Sequence, residues 1–351
     1  MSVQKKMYFG MLIGISALLV MDVAKPPLLA QTKPLTLRWA YMGPPTGVNG
    51  QYIQKAADEV KRVTEGRVQV DIYWSESLVK VKETPRAVQK GLCQIGYVLS
   101  PYNSTDVPLW THFQNILYIP RGDDCAWIAN KYWELWDTCQ PLRTELEKIG
   151  QTAWYIMPYD SYVLYSKKPV SKLEDMRGMR IRVSGEGYAK MVSAIGAAPV
   201  FLPASDTYSA IERGTVDGAL AGWAAWMGYK LYEVSQYAIE LNVFVLAATH
   251  TVSLAALNKI PGNDKEGFIE VGRRVSLEAG EASKREREAC KQIVARAGVK
   301  ITPFPSSERE KWANLPQVKN LIKDWMEEQN KAGRPGTEVM NAFLRIFEVN
   351  K

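Results

Sequence analysis

Two histidines, His112 and His250, and four cysteines, Cys93, Cys125, Cys139 and Cys290, are the side chains best suited to catalysis or metal binding. Neither histidine has a cysteine or histidine at metal-ligand spacing, and each reads as a structural histidine rather than a base. The cysteines allow three pairings in an oxidising compartment, or four free, buried thiols. On one continuous helix Cys125 and Cys139 would stand about 21 Å apart, so a bridge between them requires an intervening turn. No G-x-S-x-G, P-loop or G-x-G-x-x-G occurs, Gly185-Glu186-Gly187 being too short. Asn103-Ser104-Thr105 fits a glycosylation acceptor, and Asp123-Asp124 fits a solvated helix start, where the dipole favours negative charge. Nothing assembles a nucleophile, base and oxyanion donor, so no catalytic, metal or cofactor site is expected.

The elements around these residues suggest export and two α/β units. Lys5 and Lys6 precede an apolar run from Met7 to Met21, and the segment Pro26-Pro27-Leu28-Leu29-Ala30-Gln31 follows. That is the order of a secretory signal, with cleavage expected after Ala30; Asp22 and Lys25 interrupt the run before the roughly 20 residues of a membrane span. A soluble periplasmic protein of about 320 residues would remain, more than one core usually serves. The net charge of +7 suits anionic ligands. Lysines and arginines are interspersed with 37 acidic residues instead of forming a stripe, which argues against nucleic acid as a partner.

Alternation predicts strands over 35–41, 67–74 and 95–99, with helices over 53–60 and 85–92 between them. This order implies a mostly parallel sheet covered by helices. Residues 125–149 read as helix interrupted near 137–141. After Gly150 the pattern restarts, with strands over 152–157, 162–166, 180–183, 200–202 and 216–220. Another strand is predicted over 249–257, then an unbroken helix over 261–297, about 55 Å long and expected to lie across both domains.

One set of segments carries a resemblance: LEDMRGMRIRV at 173–183, GAAPV at 196–200, DTYSAI at 206–211 and GTVDG at 214–218, with EGRV at 65–68. In this order and spacing the chain resembles the solute-binding subunits of tripartite ATP-independent periplasmic (TRAP) transporters, the DctP-type family. The resemblance implies a periplasmic binding protein-like fold, two α/β domains joined by hinge strands and a long domain-spanning helix. The expected parts are a signal peptide over 1–30, one domain over 35–161 plus 250–290, and a second over 162–249 plus 291–351. Closure is expected about strands near Tyr162 and Thr249. It also implies that Arg182 pairs with a ligand carboxylate, a role the planar guanidinium fork fits. Many members place a Glu and then an Asn or Trp where this chain has Leu220 and Ala221, so no metal site is carried over. Members that bind sialic acid have an Arg where this chain has Lys168, which argues against sialate.

Loops at the carboxyl ends of parallel strands line the cleft of such sheets. They offer Tyr41 and Met42, then Leu99, Ser100 and Tyr102, and Tyr162, Ala221 and Trp223 from the second domain; helix N–H groups near Gly185 to Gly187 are expected to assist. The expected function is capture of a small organic carboxylate by domain closure and its delivery to TRAP-type permease subunits, without covalent chemistry. An aromatic or bulky apolar monocarboxylate is favoured, because Leu220, Ala221 and Ala204 make an apolar wall and Trp223 and Trp226 follow. The alternatives are a two-domain periplasmic enzyme and a binding protein that feeds a sensor kinase.

Overall fold

A computed structural model describes residues 33–349, and the expected leader over 1–30 lies outside them. Its strands are β1 (Leu35–Ala40), β2 (Val68–Tyr73), β3 (Ile95–Val98), β4 (Gln151–Tyr159), β5 (Tyr162–Ser166), β6 (Arg180–Val183), β7 (Ala198–Phe201), β8 (Gly218–Ala221), β9 (Tyr237–Val243), β10 (Leu246–Ser253) and β11 (Lys300–Pro303). They form a five-stranded sheet, β2-β1-β3-β10-β4, and a six-stranded sheet, β11-β9-β5-β8-β6-β7. In β1 the alternation holds: Leu37 and Trp39 are buried and Arg38 faces outward.

Each sheet is parallel apart from one reversed strand. In the first, β10 runs antiparallel to β3 and β4; in the second, β5 runs antiparallel to β8 and β9. The chain passes between sheets at two short crossings, Asp160–Ser161 after β4 and Phe244–Val245 after β9, and a third time through the long helix that leads from β10 to β11. The two short crossings are tied together, since Tyr162 N donates to Phe244 O at 3.3 Å. The return crossing therefore precedes Thr249, which lies inside β10 opposite Ile156 and Val98. Residues 243–248 are a continuous apolar run with no breaker to mark the switch; the turn is made by Phe244 itself, at φ +56°, a conformation rare for a bulky residue.

The long helix, Gly262–Arg296, matches its predicted extent. It packs on helix Gly47–Val63, helix Cys125–Thr138 and β4, and also on helix Trp223–Gly228 and β11, so it touches both sheets' layers. Gly272 permits the closest approach: a Cβ there would lie 2.2 Å from Trp154 O. The Trp154 indole stacks on Phe268 at 4.6 Å and donates to Phe268 O at 2.7 Å. Ser276 Oγ receives from Trp133 and donates to Ile156 O.

Helix Cys125–Thr138 begins at Asp124, whose carboxylate accepts from Trp127 N, and ends at Cys139. Pro141 ends it, because its ring would clash with the preceding turn. All four cysteines are free and buried, and burial pushes Cys93 up to about 11 and Cys290 to about 12. Asn103 is buried, its amide donating to Val81 O at 2.8 Å, so it is not a surface glycosylation acceptor. Within 291–351, β11 joins the second sheet, whereas helices Pro316–Lys331 and Gly336–Ile346 lie on segment Pro108–Asn115, with Phe343 4.6 Å from His112.

Candidate functional site

Arg182 sits on β6, between β7 and β8, so it is not on an edge strand. Ile181 and Val183 are buried in the core, and Arg180 pairs at the surface with Asp217 at 2.9 Å. Arg182 itself is only 2% exposed. Its Nε donates to Leu202 O at 2.9 Å, Nη1 to Leu220 O at 3.1 Å and Nη2 to Tyr102 Oη at 3.2 Å. A guanidinium has five N–H groups, so one on each terminal nitrogen is left over. Among the described residues no carboxylate forms an ion pair with Arg182, although a buried cation is costly unless an anion neutralises it.

Arg182 lines a cavity of about 560 Å³, within the roughly 300–1,000 Å³ range of small-ligand pockets. Tyr41, Tyr102, Tyr162 and Ala221, expected from strand-end positions, line it too, as do Met42, Leu99 and Ala204. Tyr97, Tyr159 and Tyr229 bring the phenols on the cavity wall to six. Tyr97 and Tyr159 share a 2.6 Å hydrogen bond, and Tyr162 Oη lies 3.3 Å from Ser184 Oγ. Burial pushes Tyr162 and Tyr229 up to about 12, and Tyr41, Tyr97 and Tyr159 well above the usual tyrosine value. These are neutral hydrogen-bonding groups, set against the apolar surface of Met227, Leu246 and Ile293.

Trp223 is a correction to the expected wall. It is buried in the second sheet's own core with Val163, Tyr165 and Ala219, and the Lys291 ammonium lies 5.6 Å from its ring. Ala224 and Met227, three residues apart on the same helix, face the cavity instead. Gly185 and Gly187 also lie elsewhere, against Gln114, whose atoms a Cβ would meet at 2.3 and 2.2 Å. The side chains of Ser100 and Trp226 fall outside the described residues.

Sequence reasoning missed Tyr97, Tyr159, Tyr229, Met227 and Glu286. Tyr159 ends β4 and follows the strand-end rule, whereas Glu286, in mid-helix, had no local signal. Neither histidine lines the cavity. His250 Nδ1 accepts from Trp39 Nε1 at 2.9 Å and His112 Nδ1 lies 2.9 Å from Leu109 O; burial lowers their pKa values to about 3 and about 4. Among the described residues no His, Cys, Asp and Glu cluster could hold a metal ion.

Comparison with known proteins gives a consistent picture. Residues 40–329 match the family described as bacterial extracellular solute-binding protein, family 7 (DctP). The C4-dicarboxylate-binding periplasmic protein DctP of Rhodobacter capsulatus is 25% identical over 327 residues, 91% of this chain and 93% of that protein. A TRAP solute-binding protein from Rhodoferax ferrireducens, crystallised with copurified benzoate, superposes with a TM-score of 0.80 at 19% identity, covering 90% of this chain and 98% of its own. An extracytoplasmic solute receptor of Bordetella pertussis that binds pyroglutamic acid gives 0.75 at 23% identity, covering 88% and 99%.

Proposed function

The chain belongs to the bacterial extracellular solute-binding protein family 7, DctP, and on that premise we propose that it captures an organic carboxylate for a TRAP-type secondary transporter. The observation that carries this reading is Arg182, a buried guanidinium that lines the cavity, has two unassigned N–H groups and has no carboxylate partner among the described residues. A ligand carboxylate would receive those two N–H groups and neutralise the charge. The relatives support the class, since the dicarboxylates, benzoate and pyroglutamic acid in their names are all carboxylic acids or their anions.

In this reading the two sheets belong to two domains that close on the ligand about Asp160–Ser161 and Phe244–Val245, while the long helix follows. The expected partition, 35–161 plus 250–290 and 162–249 plus 291–351, is adopted with its return crossing moved to Phe244–Val245 and with helix Gly336–Ile346 placed in the first domain, where it packs on helix Cys125–Thr138 and segment Pro108–Asn115. Arg182, Tyr41, Tyr102, Tyr162 and Ala221 contact the ligand. Its body is aromatic or bulky and apolar, packed against phenol rings and Met227 in place of Trp223. The protein works in the periplasm after removal of its leader near Ala30, hands its ligand to permease subunits and carries out no covalent chemistry. Among the described residues no helix is long and apolar enough to cross a membrane.

The test is a thermal-shift screen of aryl carboxylates, short aliphatic monocarboxylates, dicarboxylates and sugar acids on the mature protein. A ligand at 100 times its Kd adds about 2.7 kcal/mol of stability. Stabilisation by a carboxylate, lost in Arg182→Ala, supports the reading; carboxylate binding that survives Arg182→Ala sinks it.

A further inference from the structure

The cavity wall contains a single carboxylate among the described residues, Glu286 of the long helix. Its Oε1 accepts from Val48 N at 2.8 Å. Val48 lies in the first turn of helix Gly47–Val63, whose N-cap residue Thr46 makes no side-chain cap of its own. A helix amino terminus attracts negative charge, and here the protein supplies that charge itself. Among the described residues no lysine or arginine forms an ion pair with Glu286. The cations nearby on the same helix are committed elsewhere, Arg287 to Asp123 at 2.9 Å and Lys291 to Glu240 at 2.6 Å. The wall's other cation, Lys230, has a side chain 66% exposed and lies 3.9 Å from Glu233. Burial pushes the Glu286 carboxyl up from the ordinary glutamate value, with the Val48 N–H opposing the shift.

We propose that Glu286 sets the charge class of the ligand: the site takes an organic acid with one carboxylate, held on Arg182, and rejects a second carboxylate. The inference rests on the Arg182 reading above. The helix terminus that would welcome a second anion is already occupied by Glu286. A second ligand carboxylate in this cavity therefore meets like charge, and the one other cation of the described wall, Lys230, is exposed to solvent and faces Glu233. A neutral amide in the same position carries no such charge and can donate an N–H to the glutamate.

The experiment compares matched ligands by calorimetry: succinate with its monoamide succinamate, and terephthalate with 4-carbamoylbenzoate. In the wild type the monoamide of a pair binds tighter by roughly tenfold or more. Glu286→Gln keeps an oxygen acceptor for the Val48 N–H and removes the charge, so the gap narrows. Equal affinities within each wild-type pair overturn the proposal, as does a gap that Glu286→Gln leaves unchanged. If Glu286→Gln does not fold, the wild-type comparison decides alone. Arg182→Ala separates the two levels. Monoamide binding that survives it refutes the carboxylate site, whereas binding that needs Arg182 but shows no monoamide preference refutes only the role of Glu286.

Discussion

Arg182 Nη2 donates to Tyr102 Oη at 3.2 Å, joining β6 of the second sheet to the short helix that follows β3 of the first. The group proposed to hold the ligand thus also links the two sheets, so the proposed capture and closure would act through one guanidinium.

Arg182→Ala should weaken carboxylate binding by about 2–5 kcal/mol, measured by calorimetry. It should also lower stability by about 1–3 kcal/mol, because Leu202 O and Leu220 O lose their donor. Arg182→Lys should restore only part of the affinity, since an ammonium lacks the planar fork. Unchanged affinity in the alanine variant refutes the assignment.

Tyr102→Phe keeps the ring and removes the cross-cleft hydrogen bond, which should cost about 0.5–1.5 kcal/mol of affinity. Small-angle scattering on ligand-free and saturated protein tests the closure itself. The wild-type radius of gyration should fall on saturation, and an identical radius in protein known to start ligand-free refutes hinge closure.

Trp223→Ala should destabilise the fold by about 3–5 kcal/mol through a core cavity, while Trp223→Phe should leave ligand affinity unchanged. Denaturant melts and calorimetry check both. A large affinity loss in Trp223→Phe would put the ring back at the ligand.

Glu145 tests pH linkage away from the site. Burial raises its carboxyl from 4.5 to about 7, opposed by the Leu109 and Trp110 N–H groups. A carboxyl with a higher pKa in the folded state binds more protons there between the two values, so its contribution to stability falls as pH rises from about 4.5 to 7. The wild-type stability minus that of Glu145→Gln should therefore drop by about 3 kcal/mol between pH 4.5 and 8. A difference that is flat with pH refutes the shift.

The amino-acid sequence by itself determined many of the strands and helices, because these follow from period-2 and period-3.6 patterning and from breakers; the strand expected over 249–257 instead ends at Ser253 and gives way to helix Leu254–Leu257, and β9 and β11 were not anticipated. The predicted helix over 261–297 and the break before Pro141 were legible in this way, and Tyr41, Tyr102 and Tyr162, expected from strand-end positions, line the cavity. Only the tertiary structure decided which face of helix Trp223–Gly228 meets the cavity. Trp223 and Met227 are equally apolar, and only packing on the sheet sends the indole inward. It also decided the position of the return crossing, since an apolar run is the same in sequence wherever it changes sheets. Glu286 reaches Val48 across a separation of 238 residues. No local pattern encodes such a contact, because it exists only where two distant helices are packed together.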